Sequence, residues 1–259
     1  MLNFEVYPNG NSNKWAVFVH GIGGSTLTWK KQIADFQKEY NILLLDLPGH
    51  GGSDDIHGKL NHKLVNDEIK EVLDELHIEK AEFIGMSLGT LVILSFAVTY
   101  PEYVHAIVLG GAIINIEGFY RLLVKLASGT KQLLPKIAMY HIFAEIIMPA
   151  KWHKKSRSIF FRECKKLKRV DFHAWVDYIS NMAQQNKIIQ KLKALKLPIL
   201  FVSGDHDSCF INGIRHLSDK LANTKLIVLE KCGHVCTIEQ YKEFNQYALE
   251  YLHDIPVAA

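Results

Sequence analysis

The feature that most constrains the fold of this chain is an alternation of short apolar runs with longer segments of helical periodicity. The apolar runs have the length of buried strands, and they lie at 15–19, 41–46, 80–84, 104–109, 198–202 and 225–229. Helical patterns lie between or after them, at 61–76, 90–100 and 238–252. Because strands that alternate with helices pair in parallel, the sequence predicts an α/β fold with a mostly parallel central sheet and helices on both faces.

The alternation is interrupted in the middle of the chain. It stops at Gly110 and Gly111 and resumes only at Pro198, and the sequence between them is largely helical. We therefore predict a core made of residues 1–112 and 193–259, with a helical insertion at 113–192. Open α/β sheets hold their sites at the carboxyl ends of the strands, and we expect the insertion to lie over those ends.

Composition sets the class of protein. A hydrophobic fraction of 48% in 259 residues is enough for a large core and excludes a disordered chain. No apolar run has the length of a membrane span. The N-terminal residues lack a basic start followed by an apolar stretch, so we expect no secretory signal. The four cysteines are few and unevenly spread, which favours a reduced, cytoplasmic protein.

Positive charge is concentrated in the predicted insertion. Residues 119–170 contain thirteen lysines and arginines against two acids, Glu145 and Glu163, whereas the whole chain has a net charge of only +3. Such a segment is usually a solvated face. The alternatives are that it attracts an anionic substrate or makes peripheral contact with an anionic membrane surface. No motif predicts nucleic-acid binding.

A short motif within the alternation carries the chemistry. The pentapeptide Gly85-Met86-Ser87-Leu88-Gly89 lies between a predicted strand and a predicted helix. A serine at such a turn is held in a strained backbone that exposes its hydroxyl, and the flanking glycines make room for the turn. The following helix N-terminus favours negative charge. The pattern alone also fits an ordinary glycine-flanked turn, so its partners decide its meaning.

Residues that could activate Ser87 follow two later strands. A serine hydroxyl needs a base to take its proton, and the base needs a third group to orient it. Asp205 and Asp207 follow the strand at 198–202, and His234 follows the strand at 225–229. The order in the chain is therefore serine, aspartate, histidine, with two candidates for the aspartate.

With this order of residues, the chain resembles the α/β-hydrolase superfamily of serine hydrolases, esterase-like or lipase-like with a helical cap, from about residue 14 to 252. The resemblance implies that backbone N–H groups of Ile22, after His20-Gly21, and of Leu88 form an oxyanion hole. The family's G-x-x-D pattern favours Asp207 over Asp205. Residues 46–53 are similar to the family's D-x-P-G-x-G-x-S loop, which is usually structural.

The insertion resembles the cap of this superfamily, which covers the nucleophile and shapes the pocket. Residues that the resemblance places near a substrate are Gly21, Met86, Phe119, Leu122, Phe143, Cys209 and Val235. Many apolar residues of the insertion must also pack it on the core. The cap is the part that decides the substrate.

Other residues of chemical interest have simpler interpretations. We expect His20, His50 and His206 to form hydrogen bonds within loops. Cys232 and Cys236 flank His234, but their spacing fits no zinc pattern, and we interpret both as small buried apolar residues. We expect neither a metal nor a cofactor.

These residues together predict a carboxylesterase-like hydrolase with a triad of Ser87, Asp207 and His234. It would cleave an ester, or a thioester, of a small or lipid-like molecule through an acyl-enzyme. One alternative is a C–C bond hydrolase or lyase that uses the same triad. The other is a ligand-sensing signalling protein of the same fold.

Overall fold

The computed structural model describes residues 1–114, 136–165 and 169–255. Seven strands form one sheet. They are β1 Phe4–Tyr7, β2 Trp15–Val19, β3 Asn41–Leu45, β4 Ala81–Met86, β5 Val104–Gly110, β6 Ile199–Gly204 and β7 Thr224–Leu229. The α-helices of the described residues are α1 Lys30–Phe36, α2 His62–Glu75, α3 Leu88–Thr99, α4 Lys136–Ile147, α5 Lys154–Cys164, α6 Arg169–Ser180, α7 Met182–Leu195, α8 Ile211–Ser218, α9 Cys236–Glu239 and α10 Tyr241–His253.

The sheet is parallel except at one edge. Its strand order is β1-β3-β2-β4-β5-β6-β7, and only β1 runs antiparallel to its neighbour β3. Helices α2 and α3 pack together on the sheet, and α1 and α10 form a second packed pair. The α/β fold with a mostly parallel central sheet is therefore confirmed. Because the strands share a direction, their carboxyl ends meet at one edge of the sheet.

The central elements are apolar on every side because they are covered on every side. Strands β3, β4 and β6 are buried along their whole length. In α3, every residue from Leu88 to Ala97 is buried, since the helix lies against β4 and is covered by α2 and α7. A helix buried all round needs no polar stripe. This packing fixes the N-terminus of α3, and with it the turn at Ser87.

Three elements lie outside the sequence prediction. Strand β1 has only four residues. It lies at the edge of the sheet with a mixed burial pattern, and its sequence therefore shows no clear alternation of apolar and polar residues. Helices α1 and α8 are short, with seven and eight residues. The helix predicted at 238–252 is two helices, because the backbone leaves the helical region at Gln240.

Four described helices, α4 to α7, lie between β5 and β6, where a helical insertion is expected. The boundaries predicted for it, 113 and 192, stay a prediction, and α7 itself runs on to Leu195. Phe119 and Leu122 lie outside the described residues. Within the described part of the chain, no helix combines the length and the apolar character that crossing a membrane requires.

Candidate active site

Ser87 occupies a strained turn between β4 and α3. Its backbone has φ 53° and ψ −117°, a conformation that a residue with a side chain rarely adopts. The glycine at 89 is required by a close approach: a Cβ atom there would lie 2.0 Å from the carbonyl oxygen of Val19 at the end of β2. The turn can therefore sit between two strand ends only because position 89 has no side chain.

Ser87, His234 and Asp207 form a continuous hydrogen-bonded row. The Ser87 Oγ lies 2.8 Å from His234 Nε2, and His234 Nδ1 lies 3.0 Å from Asp207 Oδ2. All three side chains are buried, at 7%, 2% and 2% exposure for Ser87, His234 and Asp207. Because a carboxylate accepts at Nδ1, that nitrogen carries the proton, and Nε2 is left as the acceptor for the Ser87 hydroxyl.

His234 reaches Ser87 across the ends of two intervening strands. At Gly204, a Cβ atom would lie 2.1 Å from the carbonyl oxygen of Cys232, and at Gly111 it would lie 2.4 Å from that of His234. The loop after β7 therefore lies directly on the ends of β6 and β5. Side chains at 204 and 111 would hold it away from Ser87.

The other candidate aspartate has a different place. Asp205 pairs with the ring of His206 and accepts the backbone N–H of Cys232 at 3.1 Å. It makes no contact of this kind with His234. The geometry therefore brings Asp207, and not Asp205, to the histidine, while Asp205 ties the loop after β6 to the loop after β7.

Two backbone N–H groups lie beside Ser87. Leu88 is the first residue of α3, so its N–H has no partner within the helix. Ile22 lies in the loop after β2, and Gly21 passes so close that a Cβ atom there would lie 3.1 Å from the Ser87 Cβ. Within the described residues, neither the Ile22 nor the Leu88 N–H has a hydrogen-bond acceptor. The assignment of both to an oxyanion hole stays a prediction.

Two neutral histidines shape the loop that contains Ile22. His20 accepts the Leu47 N–H through Nε2 at 3.0 Å and donates from Nδ1 to the Gly21 carbonyl at 2.8 Å. His50 accepts the Gly23 N–H through Nε2 at 3.0 Å. Burial lowers the pKa of both rings, which keeps each Nε2 free to accept. The interpretation of both as loop hydrogen-bonding residues is confirmed.

A cavity of about 60 Å³ opens beside Ser87. Of the residues predicted to lie near a substrate, Gly21, Met86, Phe143 and Val235 line it. Cys209 does not line this cavity, because its thiol lies 3.4 Å from the Ile146 carbonyl and donates to it. Lining residues that the sequence analysis missed are Ile147, Ile159, Phe160 and Ile238. Their helical spacing predicts only an apolar face, and the docking of the helices decides which residues reach the cavity.

The segment 146–156, which joins α4 to α5, contacts both loops that carry the aspartate and the histidine. The Trp152 ring lies 3.9 Å from the His206 ring, centroid to centroid. A Cβ atom at Gly233 would lie 2.1 Å from the His153 ring, so that ring covers the residue before His234. The Ser156 N–H and hydroxyl both donate to Glu239 Oε1, at 2.9 and 2.7 Å. We call this segment the α4–α5 corner.

The cysteines near His234 are buried thiols. Cys232 and Cys236 are 1% and 0% exposed, which confirms their interpretation as small buried residues. Burial raises the pKa of the Cys232 thiol to about 12. Across residues 1–114, 136–165 and 169–255, no cluster of three histidine, cysteine, aspartate or glutamate side chains is arranged to hold a metal ion.

The basic residues of the α4–α5 corner and of helix α5 face solvent in part. Lys151, Lys154 and Lys155 are exposed, whereas Arg157 donates to the carbonyls of Ala144 and Met148 and pairs with Glu145. Contact of this segment with an anionic partner or membrane stays a prediction.

Comparison with known proteins places this arrangement in a family. A model of the alpha/beta hydrolase fold family matches residues 15–241. A putative 2-succinyl-6-hydroxy-2,4-cyclohexadiene-1-carboxylate synthase of Bacillus subtilis is 23% identical over 95% of this chain and 92% of its own length. A 2-hydroxy-6-oxononadienedioate/2-hydroxy-6-oxononatrienedioate hydrolase of Klebsiella pneumoniae is 26% identical over 97% of this chain and 91% of its own.

Solved structures agree in fold. An esterase from Exiguobacterium antarcticum superposes with a TM-score of 0.82 at 17% identity, covering 98% of this chain and 96% of that one. At this identity the likeness establishes the fold alone, whereas the family model spans most of the chain. The chain therefore belongs to the alpha/beta hydrolase fold family.

Proposed function

We propose that this protein is a serine hydrolase that cleaves a carboxylic ester, or a thioester, through an acyl-enzyme on Ser87. The observation that carries the proposal is the row of two hydrogen bonds, 2.8 Å from Ser87 to His234 and 3.0 Å from His234 to Asp207. A buried serine with an oriented histidine has the geometry that nucleophilic catalysis needs.

In the first half of the reaction, the Ser87 Oγ attacks the carbonyl carbon of the ester and His234 Nε2 takes the hydroxyl proton. The carbonyl oxygen becomes negative and accepts hydrogen bonds from the backbone N–H groups of Ile22 and Leu88. When the tetrahedral intermediate collapses, the bond to the leaving alcohol or thiol breaks. His234 returns its proton to that group, and the acyl chain stays on Ser87.

In the second half, a water molecule takes the place of the alcohol. His234 Nε2 accepts a proton from the water as its oxygen attacks the acyl carbon, and the same two N–H groups hold the oxyanion. The bond to Ser87 Oγ then breaks, and Ser87 recovers the proton from His234. The net change is one ester and one water converted into one acid and one alcohol.

Asp207 acts through His234 in both halves. Its carboxylate holds the Nδ1–H tautomer, so that Nε2 faces Ser87, and it stabilises the imidazolium that forms when the proton is taken. The pair lies almost fully out of solvent. The low local polarity strengthens this interaction relative to water.

A second candidate is the hydrolysis of a C–C bond by the same residues. The similarity to the Klebsiella pneumoniae protein named as a 2-hydroxy-6-oxononadienedioate hydrolase favours it. It predicts weak ester turnover together with full reaction of Ser87 with a fluorophosphonate. A multiple-turnover assay therefore separates the two candidates.

The test is ester turnover by matched serine variants. We expect the wild-type protein to hydrolyse p-nitrophenyl butyrate with multiple turnovers, and Ser87→Ala to lower kcat by about 10⁴-fold or more. Ser158→Ala, which removes an exposed hydroxyl of α5, is the control and should retain full activity. If Ser87→Ala keeps wild-type turnover, the proposal is wrong.

A further inference from the structure

The cavity beside Ser87 has apolar walls from both the core and the helical segment. Its apolar side chains include Phe143, Ile147, Met148, Ile159, Phe160 and Ile238. No lysine, arginine, aspartate or glutamate is among the described residues that line it. Against this described part of the wall, a carboxylate would lose its water without gaining a cationic partner, which is costly.

Two of the three hydroxyl groups in the described wall already donate their protons within the protein. Thr28, Ser156 and Thr237 line the cavity. Thr28 donates its hydroxyl proton to the Ser25 carbonyl at 2.7 Å, and Ser156 donates its own to Glu239 at 2.7 Å. Since a hydroxyl has one proton to give, at least these two are already committed within the protein.

A negative charge lies directly behind this wall. Glu239 Oε1 accepts both the N–H and the hydroxyl of Ser156, so its carboxylate is one hydrogen bond away from the cavity. It makes no ion pair with a lysine or arginine of the described residues. Like charges at short range repel, and the repulsion strengthens as the surroundings lose water. The described part of the wall therefore opposes an anionic group by desolvation and by charge.

The size of the cavity limits the chain that it can hold. Its volume is about 60 Å³. A single water needs about 10–15 Å³ on a comparable measure, so there is room for about four to six atoms of that size. We therefore expect a butyryl chain to fit between the described walls and an octanoyl chain to exceed them.

We propose that this cavity is an acyl pocket that accepts an uncharged chain of about four carbon atoms or fewer and rejects a chain that ends in a carboxylate. The inference rests on the proposed ester hydrolysis, and it adds the substrate class. The basic α4–α5 corner is compatible with it, since its exposed lysines are not among the residues that line the cavity.

The experiment compares three ethyl esters by the release of ethanol: ethyl butyrate, monoethyl succinate and ethyl succinamate. Succinate places a carboxylate where the butyrate chain ends, and succinamate is its uncharged isostere. We expect kcat/KM for monoethyl succinate to be at least about 100-fold below that for ethyl butyrate, with succinamate between them. Ethyl octanoate should fall at least about tenfold below ethyl butyrate.

A charge-removing variant tests the role of Glu239. Glu239→Gln keeps an oxygen that can accept from Ser156, so we expect the butyrate-to-succinate ratio to narrow by about three- to tenfold. Glu243→Gln removes an equal charge from an exposed position on α10 and should leave the ratio unchanged. The comparison of substrates on the wild-type protein stands even if Glu239→Gln fails to fold.

The outcomes separate this inference from the function on which it rests. Equal or better turnover of monoethyl succinate, or of ethyl octanoate, would overturn the acyl-pocket proposal while ester hydrolysis stands. A failure to turn over any of the esters would overturn both. The proposal is supported in full if the wild-type protein prefers ethyl butyrate and if the butyrate-to-succinate ratio of kcat/KM narrows in Glu239→Gln but not in Glu243→Gln.

Discussion

The core and the helical segment between β5 and β6 contribute to the site in different ways. The core places the proposed catalytic residues: Ser87, Asp207 and His234 follow β4, β6 and β7, whose order and register fix their separation. The helical segment contributes most of the apolar cavity wall, including Phe143 and Phe160. Strand register therefore positions the candidate triad, whereas the docking of the helices shapes the cavity beside it.

Several of the contacts between the two regions lie close to the candidate triad. Helix α5 docks on the loop after β2 so tightly that a Cβ atom at Gly23 would lie 2.3 Å from the sulfur of Cys164. The α4–α5 corner covers Gly233 with His153 and joins Glu239 through Ser156. Changes in the core should therefore abolish the reaction, and changes in the corner should modulate it.

The largest expected effect is a difference in kcat between variants of the two neighbouring aspartates of the core. Asp207→Asn should lower kcat for p-nitrophenyl butyrate by about 10⁴-fold, because the histidine loses the partner that holds its tautomer. Asp205→Asn, two residues away, should change kcat by less than about tenfold, since Asp205 does not contact His234. A steady-state assay of both variants decides this. Equal losses would mean that the row of hydrogen bonds does not govern the reaction.

The second effect tests whether the turn at Ser87 depends on the absence of a side chain at Gly89. Gly89→Ala puts a Cβ atom against the end of β2, so we expect it to lower the free energy of unfolding by about 1–3 kcal/mol or more, together with activity. Gly10→Ala is the control, because a Cβ atom there meets nothing within 4 Å. Urea unfolding measures both. A stable, fully active Gly89→Ala protein would contradict the close approach.

The third effect is a pH dependence of stability that comes from the core. Burial lowers the folded-state pKa of His20 and of His50, so the unfolded chain takes up protons first as the pH falls. Their stabilising contribution is present above about pH 6.5 and is lost below it, by at most about 1.4 kcal/mol per pH unit for each ring. Urea unfolding of the wild-type protein between pH 7.5 and 5.5 should show this loss.

His50→Gln separates this contribution from those of other titrating groups. Glutamine can still accept a hydrogen bond from the Gly23 N–H, so the variant should fold. Below pH 6.5 its stability should fall less steeply than that of the wild type, because unfolding takes up about one proton fewer. His141→Gln, at an exposed position of α4, should keep the wild-type slope. If His50→Gln keeps the wild-type slope, the pKa of His50 does not differ between the folded and the unfolded state.

The smallest expected effect belongs to the α4–α5 corner. His153→Ala removes the ring that covers Gly233, and we expect kcat to fall by about tenfold with a smaller change in KM, because the loop that carries His234 loses support. His141→Ala in the same helical segment is the control. Steady-state kinetics measure both parameters. An unchanged kcat in His153→Ala would limit the helical segment to shaping the pocket.

The same division explains how much could be predicted from the sequence. Ser87 and His234 could be assigned because they follow apolar runs, and parallel strands bring their carboxyl ends to one edge. Asp205 and Asp207 follow the same strand, so the residues alone left both open. The distinction depends on the turn after Gly204, which brings Asp207 and not Asp205 to His234. Hydrophobic periodicity does not encode such a turn, and only the resemblance to the family's G-x-x-D pattern favoured Asp207.

The rest of the site was harder to predict because it depends on packing. Ile147, Ile159 and Phe160 belong to apolar helix faces like many others in the segment, and only the docking of α4 and α5 brings them to Ser87. The contact of His153 with Gly233 joins residues far apart in the sequence and has no motif. Short edge elements such as β1 and α1 have too few residues for a periodic pattern to show.

The most direct test of the central claim is the mass of the covalent adduct that the protein forms with a fluorophosphonate. We predict one adduct per chain, located by peptide mapping on Ser87, and no adduct on Ser87→Ala. The labelling rate should fall sharply in Asp207→Asn and not in Asp205→Asn. An adduct on a different residue, or none while esters are still turned over, would contradict the assignment of Ser87 as the nucleophile.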